Sequence, residues 1–260
     1  MTLLEQYYNK FHEENRLKTR HGTVEFLTTM HYIEECISKL QKNSTAKIAD
    51  LGAGTGRYSV ELCHQGYDVT AVELVKHNLE ILRSKHENIK TWQGDARNLS
   101  FLEDKTFDLT LVFGPLYHLH SEEDKLKVLN EAKRITKKDG FILTAYVMNE
   151  YSVISYCFKQ HKWGEVQKKG GLSENFHTIC KEEDLYDYVR LEDINSLNKK
   201  ANLKREKIFS ADGPSDYMRR ELNEMTDEEF NAFLDFHLKN CERPELLGAS
   251  SHTVDILRNF

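Results

Sequence analysis

Residues 46–56, AKIADLGAGTG, constrain this chain most, because a short apolar run leads into three glycines spaced two apart. Gly52, Gly54 and Gly56 lack Cβ atoms, so the backbone can adopt positive φ and a ligand can approach it closely. The helix expected next would direct free N–H groups at the same point. The pattern therefore predicts a strand, a tight loop and a helix that form a cup for a nucleotide-like ligand.

The glycine spacing separates two kinds of nucleotide-binding loop. The dinucleotide fingerprint, G-x-G-x-x-G, holds its third glycine between helix and strand. Here Gly56 comes one residue early and Arg57 stands at the expected place, while Asp50 lies two positions before the first glycine. The resulting D-x-G-x-G-x-G form resembles the first motif of class I S-adenosylmethionine (AdoMet) dependent methyltransferases. A nicotinamide oxidoreductase is an alternative against which this spacing argues.

Two further motifs follow in the order that a βαβ series requires. Residues 67–73, YDVTAVE, alternate like a strand and end at Glu73, which resembles the family's clamp on the two ribose hydroxyls. Residues 89–93, IKTWQ, are typical of a third strand and lead to Asp95 and Ala96, similar to the family's G-D-A turn beside the adenine. The resemblance implies cofactor contacts from Asp50, Gly52, Ala53, Gly54, Gly56, Glu73, Leu74, Asp95, Ala96 and Phe113.

The loop after the fourth strand carries the candidate catalytic residues. Residues 107–113, FDLTLVF, read as this strand, and the following GPLYHL resembles the fourth motif of small-molecule methyltransferases, beside the transferred methyl. Open α/β sheets bind ligands at the carboxyl ends of their strands, so Tyr117 and His118 are expected near the acceptor. A histidine can accept a proton near neutral pH. The alternatives are a histidine that supports the pocket and a tyrosine that forms its wall.

The full pattern resembles an α/β, Rossmann-like class I methyltransferase fold. Its sheet has seven strands, mostly parallel, with an antiparallel last strand and helices on both faces. A helix is expected over 121–137, a turn at 139–140 and a fifth strand over 141–147. Strand six is expected within 203–213 and the final strand within 251–259, which the resemblance puts at the sheet edge.

The motifs divide the chain into four segments of one domain. The central two are the cofactor core and an insertion where many small-molecule methyltransferases build a substrate cap. The predicted segments are 1–44, an N-terminal helical lid; 45–148, the AdoMet-binding core; 149–202, the cap or insertion; and 203–260, the C-terminal strands and helix that complete the domain.

The N-terminal segment offers a ligand for the carboxylate at the cofactor's methionyl end. Residues 2–16 are typical of a short polar-faced helix, and apolar residues at helical spacing predict a longer helix over 23–40. Class I methyltransferases commonly place such helices over the AdoMet pocket. A guanidinium group suits a carboxylate bidentately, so Arg20 is the preferred ligand. The alternative for Arg20 is a solvated surface charge. The lid candidates are Tyr7, Tyr8, Arg16, Arg20 and His21.

Composition narrows the partners. The net charge is −6 and no basic block stands out, so no nucleic-acid partner is expected. The five cysteines and the scattered histidines lack zinc-ligand spacing, so no metal site is expected. With no leader pattern and no long apolar run, the chain is expected to be cytoplasmic and to have no membrane partner. The sequence does not indicate an oligomeric state.

The resemblance implies that the chain is an enzyme that transfers methyl from AdoMet to a small-molecule acceptor. Tyr146 and Tyr151, at and after the end of strand five, offer an aromatic wall for an amine or ring acceptor, with core packing as the alternative. Two other functions stay open: a sensor or partner subunit that holds AdoMet or S-adenosylhomocysteine (AdoHcy) without catalysis, and a methyltransferase for a protein or tRNA. The acidic balance argues against the second. The acceptor atom is not identified by the sequence.

Overall fold

The computed structural model describes residues 3–8, 17, 19–40 and 45–260. Within them, the strands are β1 Lys47–Leu51, β2 Asp68–Glu73, β3 Lys90–Gln93, β4 Phe107–Val112, β5 Thr136–Val147, β6 Lys204–Ser210 and β7 His252–Arg258. The helices are α1 Leu3–Tyr8, α2 Arg20–Lys39, α3 Arg57–His64, α4 Lys76–Ser84, α5 Glu122–Ile135, α6 Asn149–Ser152, α7 Trp163–Lys168, α8 Leu191–Ala201, α9 Arg219–Glu224, α10 Asp227–Asn240 and α11 Pro244–Leu247. A 3₁₀ turn covers Pro115–His118, and a π-helical segment covers Val153–Lys159.

The strands form one seven-stranded sheet in the order β3-β2-β1-β4-β5-β7-β6. The predicted Rossmann-like fold class is therefore confirmed. β1 pairs in parallel with both β2 and β4, so the strand order reverses at β1. Ligands bind beside the carboxyl ends of strands at such a point. The ends of β1, β2 and β4 thus set the position of the site.

The final strand lies elsewhere than expected. β7 is antiparallel, as predicted, but it pairs with both β5 and β6, so the edge strand is β6 and the expected edge position is wrong. Burial explains the order, because Val254, Ile256 and Leu257 are at most 2% exposed. β6 instead begins with KREK, and lysine suits an edge because it opposes pairing with another chain.

β5 is longer than predicted. It begins five residues earlier than expected, at Thr136, because the expected turn at 139–140 is a bulge inside the strand. Asp139 has a φ of 59°, and its N–H donates to the carbonyl of Asn259 at 2.6 Å. The bulge is therefore tied to the end of the chain.

Helices cover both faces of the sheet. One apolar cluster includes Val128 of α5 and Leu197 of α8, and a second includes Ile33 of α2 and Leu62 of α3. α8 falls inside the segment predicted as a cap, so part of that segment covers the sheet. Among the helices of the described residues, none has the length and apolar character that a membrane crossing needs.

Short polar residues fix where two of the long helices begin. The Thr19 hydroxyl accepts from the Gly22 N–H at 3.2 Å, and the Ser121 hydroxyl accepts from the Asp124 N–H at 3.1 Å. Such caps stabilise a helix by roughly 1 kcal/mol each. The cap at Thr19 explains why α2 begins at Arg20, three residues before the predicted start.

Candidate active site

A cavity of about 590 Å³ opens at the carboxyl ends of β1, β2 and β4. We call it the main cavity. The candidate catalytic residues Tyr117 and His118 line it, and so do most of the predicted cofactor ligands, although these come from separate loops. The cofactor candidates in the lining are Asp50, Gly52, Ala53, Gly54, Glu73, Leu74, Asp95, Ala96 and Phe113. Arg20 and Gly56 are not part of the lining.

The glycine loop joins β1 to α3 in a left-handed conformation. Gly52 and Gly54 have φ angles of 78° and 57°, which side chains with a Cβ rarely adopt. The Gly52 N–H donates to the Val72 carbonyl of β2 at 2.8 Å. The Gly54 N–H donates to the Glu73 carboxylate, also at 2.8 Å. The loop is thus held against the end of β2 by its own backbone.

Gly56 has a packing role that the sequence analysis did not assign. It precedes α3 with a φ of 86°, and a Cβ atom there would lie 2.3 Å from Cδ1 of Leu82 in α4. Such an approach is far closer than carbon atoms tolerate. The absence of a Cβ at Gly56 therefore allows α4 to pack against the loop, while its predicted cofactor contact stays a prediction.

Asp50 lies beneath the glycine loop and is 1% exposed. The Ser59 hydroxyl of α3 donates to its Oδ2 at 2.6 Å. Burial raises the pKa of Asp50 to about 6 because the ionised form loses its hydration. Asp50 thus links β1 to the first turn of α3 and borders the main cavity.

Glu73 is the last residue of β2 and is 6% exposed. Its Oε2 accepts from the Gly54 N–H at 2.8 Å, and its Oε1 accepts from the Val75 N–H at 2.7 Å. A carboxylate oxygen can accept more than one hydrogen bond. These contacts therefore orient Glu73 in the cavity wall without excluding bonds from ribose hydroxyls.

Asp95 follows β3 and forms an ion pair with Arg97 at 2.6 Å. Arg97 also contacts Asp124 of α5 at 2.7 Å. Partial burial alone would raise the pKa of Asp95, but the hydrogen bonds from Arg97 outweigh it and hold that pKa below its usual range. Asp95 is therefore ionised at neutral pH, next to Ala96 in the cavity wall.

The histidine of the fourth motif is held at both ring nitrogens. Nδ1 of His118 lies 2.8 Å from the Leu185 carbonyl, which only accepts, so Nδ1 carries the hydrogen. Nε2 then accepts from the Tyr8 hydroxyl at 3.0 Å. Burial lowers the pKa of His118 to about 4, so the ring is neutral at pH 7. These contacts favour the supporting role for His118, while the Tyr117 ring packs beside it, 4.9 Å between centroids.

Arg20 lies away from the main cavity, which corrects the expected carboxylate contact. Its guanidinium donates to the carbonyls of Leu222 and Met225 at 3.2 and 2.8 Å and to the Asp227 carboxylate at 2.8 Å. It also lies 5.0 Å above the Phe230 ring. Arg20 therefore fastens the start of α2 to α9 and α10.

Part of the predicted lid does reach the main cavity. Leu4 and Tyr8 of α1 and the isolated Leu17 line it. His21 faces a second cavity, described next. Arg16, a further lid candidate, falls outside the described residues.

A second cavity of about 240 Å³ adjoins the main cavity. The two share Tyr8, Glu25, Tyr117 and His252 in their linings. We call it the tyrosine chamber, after the tyrosines in its lining: Tyr8, Tyr117, Tyr151, Tyr186 and Tyr188. Tyr151 was expected as an aromatic wall, whereas Tyr146, named with it, is 1% exposed and belongs to the core.

Three residues of the tyrosine chamber, two of which also line the main cavity, were missed by sequence reasoning. Asp212 Oδ2 lies 2.9 Å from Nδ1 of His252, and Glu25 Oε2 lies 3.7 Å from the same nitrogen. Each of the three side chains offers one atom that could ligate a metal ion, and these atoms lie within 4.8 Å of one another. They come from α2, the loop after β6 and the start of β7. The sequence signal that could have found two of them is a polar residue just after strand six, Asp212, and another at the start of the antiparallel final strand, His252.

Comparisons with known proteins agree with this geometry. Residues 48–140 match the family model described as a methyltransferase domain, and this range contains the glycine loop, Glu73, Asp95 and the loop after β4. These residues form a methyltransferase domain of the class I, AdoMet-dependent type, as the sequence resemblance indicated. AdoMet is the cofactor that this class implies.

Curated relatives match over part of the chain. A glycine/sarcosine N-methyltransferase from Aphanothece halophytica is 30% identical over 112 residues, which cover 41% of this chain and 42% of the relative. A demethylmenaquinone methyltransferase from Paenarthrobacter aurescens is 35% identical over 100 residues, 38% of each chain. An rRNA adenine N-6-methyltransferase from Limosilactobacillus reuteri is 25% identical over 124 residues, 46% of this chain and 48% of the relative. The chain thus spans less than half the length of these relatives.

Solved structures share the fold over nearly the whole chain. A possible histamine N-methyltransferase from Thermotoga maritima aligns with a TM-score of 0.59 and 19% identity, covering 99% of this chain and 98% of that one. A putative sarcosine dimethylglycine methyltransferase from Galdieria sulphuraria aligns with a TM-score of 0.55 and 19% identity, covering 91% and 85%. At this identity the likeness concerns the fold alone.

The main cavity fits AdoMet on features of its own. The glycine loop exposes backbone, and Glu73 and Asp95 supply acceptors on two sides. Asn78 of α4 lines the cavity and is 2% exposed, yet its Oδ1 has no hydrogen-bond partner among the described residues. A buried acceptor left unsatisfied costs roughly 1–3 kcal/mol. A hydroxyl or amino donor of a bound nucleoside would remove that cost.

Proposed function

We propose that this protein transfers a methyl group from AdoMet to a small-molecule acceptor. The observation that carries the proposal is the junction of the two cavities at Tyr117 and His252. A cofactor against the glycine loop would have the tyrosine chamber as acceptor space beside it. A chamber of about 240 Å³ suits a small molecule rather than a polymer.

The cofactor would be held mainly by groups that accept its hydrogen bonds. Glu73 would receive the ribose hydroxyls, and Asp95 with the backbone at Ala96 would contact the adenine. Arg57 replaces Arg20 as our candidate for the methionyl carboxylate. It lines the main cavity at the start of α3, where the helix dipole also favours an anion.

Bound AdoMet would supply a methyl group already activated by a sulfonium, so the protein's task is alignment, exclusion of water and removal of a proton where the acceptor carries one. Leu4 and Leu17 would keep water from the cavity. His118, neutral and bonded to Tyr8, would hold the wall beside the methyl path. This role does not require His118 to change its protonation state.

Direct binding tests the cofactor half of the proposal. Calorimetric titrations with AdoMet, AdoHcy and NADH should give binding for the first two and none for NADH. Glu73→Ala should weaken AdoMet binding, and Glu80→Ala, an exposed substitution on α4, serves as its matched control. NADH binding in preference to AdoMet would contradict the proposal.

Product formation tests the catalytic half. AdoHcy release should be seen with at least one acceptor from a panel of amines, phenols, thiols and carboxylates. AdoMet binding without any turnover would favour the sensor function. Turnover with tRNA or a protein, and none with small molecules, would favour a macromolecular acceptor. The net charge of −6 argues against a nucleic acid as that acceptor.

A further inference from the structure

A buried hydroxyl borders the main cavity without a hydrogen-bond partner. Thr29 of α2 lines this cavity and is 1% exposed. Its Oγ1 forms no hydrogen bond with any of the described residues. A helical threonine can donate to a carbonyl of the preceding turn, but Thr29 does not. Because a buried unpaired hydroxyl costs free energy, a molecule bound in the cavity is the partner that this position can gain.

One face of α2 runs along both cavities. Gly22 lines the tyrosine chamber, Glu25 lines both cavities, and Thr29 lines the main cavity but not the chamber. Residues three or four positions apart share a face of a helix. This face therefore passes from the chamber, across the junction, to the main cavity, and Thr29 lies on the cofactor side of the junction.

The nucleoside and the amino-acid end of AdoMet would occupy opposite sides of the main cavity. Glu73 and Asp95, proposed for the nucleoside, stand at the ends of β2 and β3. In the sheet, β1 and β4 separate these strands from β5. α2 lies on the β5 side, because Phe26 packs in one apolar cluster with Ala145, a β5 residue that lines the cavity. Thr29 is therefore placed toward the amino-acid end.

Arg57, our candidate for the methionyl carboxylate, lies beside the same helix. Its guanidinium carbon is 4.0 Å from the centroid of the Phe26 ring. Phe26 and Thr29 are three positions apart, so their side chains are neighbours on α2. Arg57 and Thr29 both line the main cavity, and they therefore border the same end of it.

We infer that the Thr29 hydroxyl binds the amino-acid end of AdoMet, so that α2 distinguishes AdoMet and AdoHcy from nucleosides that lack this end. The inference rests on the proposed function, because it takes the nucleoside to lie at Glu73. A hydroxyl both donates and accepts hydrogen bonds, so it can pair with the carboxylate or the ammonium group. Thr29 lies outside residues 48–140, which match the family model. The contact therefore comes from the N-terminal segment rather than from the motifs of the methyltransferase domain.

Calorimetry on the full chain with AdoHcy and with 5′-methylthioadenosine tests the inference. 5′-Methylthioadenosine keeps the nucleoside and the sulfur but lacks the amino-acid end. Thr29→Val keeps the branched shape of the side chain and removes the hydroxyl. It should raise the AdoHcy Kd by about 10- to 150-fold, as expected for hydrogen bonds to charged groups. The Kd of 5′-methylthioadenosine should not change.

Thr28 provides a matched control on the same helix. It is 0% exposed and its Oγ1 also lacks a partner in the described part of the chain, but Thr28 lines neither cavity. Without ligand, Thr28→Val and Thr29→Val should each raise the midpoint of denaturant unfolding, because each removes a buried unpaired hydroxyl. Of the two, only Thr29→Val should weaken AdoHcy binding. Thr29→Ser, which keeps the hydroxyl, should retain most of the affinity.

Several results would overturn the inference. One is an AdoHcy Kd that is unchanged in Thr29→Val. Another is a loss of AdoHcy affinity that is equalled by 5′-methylthioadenosine, by Thr28→Val or by Thr29→Ser. A lowered unfolding midpoint in Thr29→Val would also overturn it, because the hydroxyl would then have a partner in the empty protein. A wild-type chain that does not bind AdoHcy would refute the proposed function itself.

Discussion

Replacement of Glu73 is the most direct test of the cofactor site. Its carboxylate accepts from the backbone N–H groups of Gly54 and Val75 at 2.8 and 2.7 Å and is 6% exposed. Glu73→Ala removes both acceptors at once. The variant should therefore lose loop order as well as any bond to the ribose.

The two losses have separable magnitudes. Hydrogen bonds to a charged group contribute about 1.5–3 kcal/mol, so Glu73→Ala should raise the AdoMet Kd by about 10- to 150-fold. Leaving buried N–H groups unsatisfied should lower the free energy of unfolding by roughly 1–3 kcal/mol. Glu73→Gln keeps one acceptor oxygen but turns a donor toward the second N–H. It should therefore retain part of the affinity.

Calorimetry with AdoMet and denaturant titration without it measure the two effects independently. Glu80, on the exposed face of α4, is 59% exposed and pairs with Lys76. Glu80→Ala should change neither quantity by more than about 0.5 kcal/mol. An AdoMet Kd unchanged in both Glu73 variants would refute the assignment of Glu73 to the cofactor, whatever happened to stability.

Three further predictions follow from single positions. Gly54→Val should abolish AdoMet binding with an unchanged circular dichroism spectrum, because a branched residue resists the φ of 57°; undiminished affinity in calorimetry would remove the loop from the site. Gly56→Ala should lower the free energy of unfolding by roughly 1–3 kcal/mol more than Gly66→Ala, since a Cβ at Gly56 meets Leu82 at 2.3 Å and nothing lies within 4 Å at Gly66; equal denaturation midpoints would contradict this. Burial lowers the pKa of His118 to about 4. Below pH 6.5 the unfolded chain therefore binds a proton at this residue that the folded chain does not bind. The free energy of unfolding should fall by on the order of 3 kcal/mol between pH 6.5 and pH 4. Denaturation curves of His118→Gln at successive pH values should show a smaller loss. The fall of kcat on the acidic side of its pH profile should persist in this variant. If that fall vanished and kcat dropped sharply, His118 would be the general base.

Most residues that meet at the main cavity could be predicted because their determinants are local. Each predicted ligand stands within a few residues of a strand end, and parallel strands bring their carboxyl ends to one edge of the sheet. Periodicity therefore sufficed to bring Asp50, Glu73 and Asp95 to the same cavity. Gly56 does not line the cavity, and the reason that it must lack a Cβ is Leu82, a neighbour 26 positions further along the chain that no local pattern reveals.

Arg20 shows the limit of reasoning from residue type. A guanidinium fits a carboxylate in principle, and Arg20 does find one, but it belongs to Asp227. Its guanidinium also binds the carbonyl of Leu222 in α9 and that of Met225 just after it. Because α9 and α10 lie two hundred positions away, no local pattern around Arg20 distinguishes a helix clamp from a cofactor ligand.

The acceptor half depends on the placement of one strand. An antiparallel strand presents its first residue, not its last, at the edge where parallel strands end. β7 lies between β5 and β6, so His252 pairs with Val147 at the end of β5, and Thr253 pairs with Ser210 at the end of β6. Asp212 follows β6 and therefore meets His252. With β7 at the sheet edge, as the sequence analysis expected, His252 would be separated from β5. Because β7 is inserted between β5 and β6, His252 lies instead at the junction of the main cavity and the tyrosine chamber.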